Sequence, residues 1–156
     1  MTQQYLRFEI VPPDEILAHV DAHLNEARTK IQRPDGSWVG VTSLRMRTFA
    51  RAGRSAKGMV CVTCGLRGTF FAVEQSPGQQ SHHLNLYGIN EDNAEILITH
   101  DHIVARALGG ADNISNTQVM CSPCNNKKSR GEGKEVLRRR KAAKKKEEDA
   151  KINDQI

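Results

Sequence analysis

The sequence predicts a small α+β fold with helices at its N-terminal end, short strands in the middle and a basic helical tail. Three observations carry this expectation. Ile16, Val20, Leu24, Ala27 and Ile31 recur at steps of three or four, the spacing of one helical face. From Gly58 onward the apolar runs shorten and are separated by Gly, Pro, Asn and Asp clusters, which suits strands and turns. Two C-x2-C pairs, Cys61 with Cys64 and Cys121 with Cys124, account for all four cysteines and bracket that strand region.

The first helix opens at Pro12-Pro13-Asp14-Glu15, where proline and acids favour a helix start, and ends near Arg33-Pro34-Asp35-Gly36. Ser43 to Ala52, closed by Gly53, predicts a second helix. Extended pieces follow around Cys61, then at 68–73, 83–87 and 95–99. After Ile103 a loop carries Gly109-Gly110 and Asp112-Asn113, then 117–120 is extended again. A helix begins near Cys124 and runs into the basic stretch, whose residues form helices well but offer no apolar stripe to bury. The expected divisions are a helical region at 1–57, a strand region with its cysteines at 58–130 and a tail at 131–156.

At 156 residues the chain allows one compact domain with appendages and excludes a large multidomain enzyme. Only 38% of residues are hydrophobic and 4% aromatic, so the core is thin and needs reinforcement. Lys+Arg 23 against Asp+Glu 18 leaves a net charge of +5, which favours a polyanionic partner, nucleic acid first. The charge is concentrated: between Lys134 and Lys146, the basic Lys134, Arg138, Arg139, Arg140, Lys141, Lys144, Lys145 and Lys146 face only Glu135. A second basic stretch, Thr42 to Lys57, contains Arg45, Arg47, Arg51, Arg54 and Lys57 with no acid and suits a phosphate backbone. RRRKAAKKK also fits a nuclear localisation signal if the host is eukaryotic. No apolar stretch approaches the length of a membrane span, and MTQQYLRFEI lacks a secretory profile, so the expected setting is a reducing cytoplasm.

In such a compartment two C-x2-C pairs are read as metal ligands before disulfides. Each knuckle presents two thiolates, and two knuckles complete a tetrahedral zinc site with no position left for substrate, hence a structural zinc on Cys61, Cys64, Cys121 and Cys124. The rival is a set of free-thiol or redox pairs. The 56 residues between Cys64 and Cys121 place most of the strand region inside the loop that the ion closes.

The chemistry is expected in ILITHDHIVARALGGADNISNTQVMCSPCNNKKS. The segment holds Asp101, Asn116 and Asn125, and a carboxylate and a side-chain amide oxygen are hard ligands suited to magnesium or a similar ion. His102 has the side-chain type that takes a proton from water near neutral pH. On a regular strand Asp101 and His102 point to opposite faces, so their convergence needs a bulge or a strand end. His100 is a further candidate ligand, and a solvated strand-end histidine is its rival. His19 with His23, His82 with His83, and Trp38 are read as packing or solvated residues.

At these residues the sequence resembles the HNH endonuclease family, in its zinc-reinforced, four-cysteine subgroup of phage and bacterial type. The resemblance rests on DHI at 101–103, the Gly-Gly loop, Asn116, and C-x2-C-N followed by lysines; it covers roughly 58–130. HLNLYGIN adds a weaker likeness. The family implies a ββα-metal motif, with His102 as general base, Asp101 and Asn125 as ligands of a catalytic Mg2+ or Mn2+, and Asn116 holding the loop that orients the base. Asn126, beside Asn125, is the alternative ligand. Ala105 departs from the family's common proline two residues after DHI. The implied activity is metal-dependent hydrolysis of DNA phosphodiesters; by their charge and position Arg106, Lys127 and Lys128 near the motif, and Arg138, Arg139 and Arg140 in the basic tail, are expected to contact DNA. The competing class is a zinc-stabilised nucleic-acid-binding protein without catalysis.

Overall fold

The computed structural model describes residues 4–153, so the ends of the expected N-terminal region and tail lie outside the described residues. A five-stranded antiparallel sheet forms the centre, in the order β1 (Leu6–Val11), β4 (Phe70–Gln75), β5 (His82–Ile89), β6 (Glu95–His102) and β7 (Thr117–Cys121). Between β1 and β4 the chain builds helix α1 (Pro13–Ala22), a hairpin of β2 (Lys30–Gln32) and β3 (Trp38–Gly40), and helix α2 (Leu44–Gly53). A 32-residue helix, α3 (Ser122–Asn153), follows β7 directly.

Alternation along the strands produces the core. Phe71, Val73, Leu84, Leu86, Ile98 and Val119 are buried together with Ile16 and Val20 of α1 and Met46, Phe49 and Ala50 of α2. Phe49 and Phe71 bring their rings to 6.1 Å, fastening α2 to the sheet. Ser43 caps α2 by accepting the Met46 amide. Thr48 shares a 2.8 Å hydroxyl hydrogen bond with Thr117, and Arg51 donates to the carbonyls of Ile114 and Thr117. The N-terminal half therefore braces β7 and the loop before it.

Two sequence expectations need correction here. The first helix ends at Ala22, and Ile31, assigned to its apolar face, lies on β2 opposite Val39. The three-to-four-residue spacing persists past the helix by coincidence. The Pro34-Asp35-Gly36 turn folds the chain back, with Gly36 in the left-handed region at φ +84° and its amide donating to the Arg33 carbonyl at 2.9 Å. The region before residue 57 is also not wholly helical, because β1 joins the main sheet through β4 and so crosses the 57/58 division. Arg33 ties these parts together, donating to Glu9 at 2.5 and 2.9 Å and to Glu15 at 2.7 Å. The second helix and the strands at 70–75, 82–89, 95–102 and 117–121 fall where the sequence places them.

Candidate nuclease site and metal centre

The four cysteines meet at one end of the sheet. Cys61 and Cys64 sit in a knuckle closed by Gly65, at φ +78°, whose amide donates to the Cys61 carbonyl at 2.9 Å. Cys121 ends β7, and Cys124 lies in the first turn of α3. All four sulfurs lie within 4.8 Å of one another, and those of Cys64 and Cys121 are 3.6 Å apart. Four thiolates about 2.3 Å from a tetrahedral zinc stand roughly 3.8 Å from each other, so the cluster fits a metal ion such as zinc. Electrostatics agree. Burial opposes ionisation of Cys61, but the amides of Cys121, Cys64 and Thr63 outweigh it and bring its pKa to about 6, while burial foremost pushes Cys121 up. A divalent ion would favour the thiolate form of all four.

The second constellation lies where β5 and β6 part. Their pairing stops at Leu86 opposite Ile98, whereas β6 stays paired with β7 to His102. The β5-side edge of His100, Asp101 and His102 is thereby opened into a cleft of about 790 Å³, which is also lined by Arg45 of α2 and by Asn125, Ser129 and Glu132 of α3. Opposite-facing neighbours on a strand thus border one cleft because it wraps the strand's free edge.

The Asp101 carboxylate is only 7% exposed. Gln118, opposite it on β7, donates to Oδ2 at 2.8 Å, and the Lys128 ammonium approaches the same oxygen at 3.1 Å. The buried anion is thus matched by the Lys128 cation. Asn125 donates to the Thr99 hydroxyl at 2.9 Å and borders the cleft, whereas Asn126 is exposed and does not. His102 Nε2 is 2.8 Å from Asp112 Oδ1. Asp112 was missed by sequence reasoning, although its place two residues after Gly110 was the available signal. The hydrogen bond from His102 holds the Asp112 pKa below its usual value. His100 also borders the cleft, its ring 5.9 Å from that of His102, with burial and then Arg45 lowering its pKa.

Asn116 staples the loop by three hydrogen bonds. Its Oδ1 accepts the Val104 amide at 3.0 Å, and its Nδ2 donates to the carbonyls of Val104 at 2.9 Å and Ala111 at 2.8 Å. The Gly-Gly pair is explained by the same geometry. Gly109 adopts φ +93°, and a Cβ on Gly110 would lie 1.8 Å from the Val104 carbonyl oxygen and 2.8 Å from Asn116 Nδ2. Ala105, the departure from proline, has φ −57° and ψ 140°. Those angles suit proline, so Ala105→Pro is expected to stabilise the protein by about 0.4–1 kcal/mol, read as a higher melting temperature; a lower one would contradict the loop geometry.

The expected DNA-contacting residues divide. Arg106 borders the cleft with its Nη1 3.6 Å from Asp112 Oδ2. Lys127 and Arg138, Arg139 and Arg140 are exposed on α3, Arg138 and Arg139 each pairing with Glu135 at 2.8 Å. Lys128 is turned inward, donating to the His102 carbonyl at 2.7 Å and pairing with Glu132 at 2.5 Å as well as with Asp101. In the second basic stretch, Arg47 donates to the Glu26 carbonyl, Arg51 to the loop carbonyls and Arg54 to Asp21; these cations serve the fold.

Two antiparallel strands, a stapled loop between them and a following helix that shares their cleft form a ββα unit. A sequence model described as HNH endonuclease matches residues 89–139, which contain all of β6, the loop, β7 and the start of α3. This segment of the chain is thus similar to the HNH endonuclease family. No curated protein and no solved structure gives a significant match. Among the described residues, no helix is long and apolar enough to cross a membrane.

Proposed function

We propose that the protein is a metal-dependent DNA endonuclease in which His102 is the general base. The observation that carries this reading is the shared cleft: His102, the buried Asp101 carboxylate and Asn125 border one space beside a loop fixed by Asn116. Asp101 and Asn125 would hold a Mg2+ or Mn2+ ion, which when bound supplies Lewis-acid stabilisation of charge on the phosphoryl oxygens. The residues of the chain perform the rest. His102 accepts a proton from the attacking water. Asp112 anchors its Nε2, which leaves Nδ1 as the accepting nitrogen. Asn116 keeps the loop, and with it Asp112, in register with the strand. Arg106 and Lys127 contact phosphates near the site, and Lys128 balances the Asp101 carboxylate. The cysteine cluster, holding zinc, fastens β7 and α3 beneath the site; the 58–130 unit carries the chemistry in a cytoplasmic setting.

End-labelled duplex DNA incubated with the protein and Mg2+ or Mn2+ tests the reading. Internal cuts that leave 5′-phosphate and 3′-hydroxyl ends, and that stop with EDTA, are expected; intact DNA across both metals and several DNA forms would overturn it. The competing reading, a nucleic-acid-binding protein without catalysis, is favoured by one contact, the Lys128 ammonium on Asp101. It predicts binding without cuts under every one of those conditions.

Two further outcomes follow from the geometry. Asn116→Asp keeps the size of the side chain but turns acceptors toward the Val104 and Ala111 carbonyls, so cleavage should fall about tenfold to hundredfold, as when other supporting partners are removed. An unchanged rate would separate the staple from catalysis. The tail beyond Leu137 carries Arg138, Arg139, Arg140, Lys141, Lys144, Lys145 and Lys146 without touching the cleft. If about half of these seven neutralise phosphates, truncation after Leu137 flattens the log–log salt dependence of DNA binding by about 3. Cleavage at saturating protein should change far less. An unchanged slope would assign the tail to another role.

A further inference from the structure

Among the described residues, every other charged side chain bordering the cleft is answered by an opposite charge. Asp101 and Glu132 face Lys128, while Asp112 faces Arg106 and His102. Arg45 is the exception. It lies in the first turn of α2, outside the segment matched by the family, and forms no ion pair among the described residues. Its Nη1 donates to Asn85 Oδ1 at 3.2 Å and its Nη2 to the Leu84 carbonyl at 2.6 Å, both neutral acceptors. A half-buried guanidinium stays protonated, and leaving it without an anion is costly.

The side chain is also held in place. Leu84 lies on the part of β5 that no longer pairs with β6, so Arg45 occupies the gap from which the cleft opens. Asn85 cannot turn its amide around: its Nδ2 donates at 2.7 Å to Glu74, which is 1% exposed and also accepts the Tyr87 hydroxyl at 2.8 Å and Arg7 Nε at 2.9 Å. Asn85 Oδ1 must therefore face Arg45. Two of the five guanidinium N–H donors are committed to these contacts, which leaves three for a ligand. A planar fork with spare donors, pre-oriented and unneutralised, matches the charge and the paired oxygens of a phosphodiester.

We propose that Arg45 is a substrate-binding residue of this cleft, holding non-bridging oxygens of the nucleic-acid backbone beside the bond to be cut. The inference rests on reading the cleft as a phosphodiester site. It extends that site beyond the ββα unit to the N-terminal half of the chain.

The test compares the full-length wild-type protein with Arg45→Gln, Arg45→Lys and, as a control, Arg54→Gln, whose arginine is paired with Asp21 outside the cleft. Duplex binding is measured in EDTA against salt, cleavage with Mg2+ or Mn2+, and melting temperature in parallel. Arg45→Gln retains an amide donor but no charge. It should flatten the salt slope by about 0.9, one phosphate contact, and lower kcat about 100-fold, the usual effect of losing one oxyanion donor. Arg45→Lys should keep the slope and recover part of the rate; Arg54→Gln should match wild type in both. A wild-type slope in Arg45→Gln, or a loss that follows the melting temperature equally in Arg45→Gln and Arg45→Lys, would overturn the proposal and leave Arg45 a plug between strands. If wild type binds DNA but never cuts it, the nuclease reading fails, and the salt slopes alone decide Arg45.

Discussion

Stripping metal from the four-cysteine cluster is expected to unfold the strand region around it. The cluster joins the knuckle at 61–64, which is also tied by the Val62 amide to the Val119 carbonyl, to the junction of β7 and α3. Structural zinc sites carry apparent binding free energies of about 10–16 kcal/mol, comparable to or larger than the roughly 5–15 kcal/mol net stability of a domain. The thin core implied by 38% hydrophobic residues has little reserve. Purified protein should hold about one zinc per chain by elemental analysis, and Cys61→Ser or Cys124→Ser should lower the melting temperature sharply. A folded, reduced sample without zinc, melting at the same temperature as the zinc-loaded one, would reject the site.

His102→Ala should reduce cleavage by about 10²–10⁴-fold, the range that general-base catalysis supplies. Stability should barely change, because the side-chain partner of His102 is the exposed Asp112 and the ring is not part of the core. That combination separates a chemical role from a structural one. Asp112→Asn should also slow cleavage, because the amide can donate to Nε2 and place the proton on Nδ1, and the charge that stabilises the protonated ring is lost. Equal rates for His102→Ala and wild type would remove His102 from the mechanism.

Much of the site was legible because its residues are local in sequence. DHI, Gly109-Gly110, Asn116 and the second cysteine pair lie within 24 consecutive positions, and each requires its residue type for a reason the structure displays. The opening of one cleft to both Asp101 and His102 was not legible, since strand alternation separates them and only the early end of the β5–β6 ladder restores access. Arg45 and Asn85 are 40 residues apart, so nothing local distinguishes Arg45 from Arg47 or Arg51, whose charges serve the fold. β1 escaped notice for a different reason. Its apolar Leu6, Phe8 and Ile10 are exposed on an edge strand and only Val11 is fully buried, so its alternation does not report a core face. The first helix was read too long because Leu24 packs on the core and Ile31 joins it from β2, mimicking one continuous stripe.

Conversion of supercoiled plasmid tests the central claim most directly, with wild type and His102→Ala matched for zinc content and melting temperature and supplied with Mg2+ or Mn2+. Wild type is predicted to nick or linearise the plasmid only when the divalent metal is present, and His102→Ala to leave it supercoiled over the same time. Equal conversion by both proteins, or none by either across metals and DNA forms, would contradict the assignment of the cleft as a histidine-driven nuclease site.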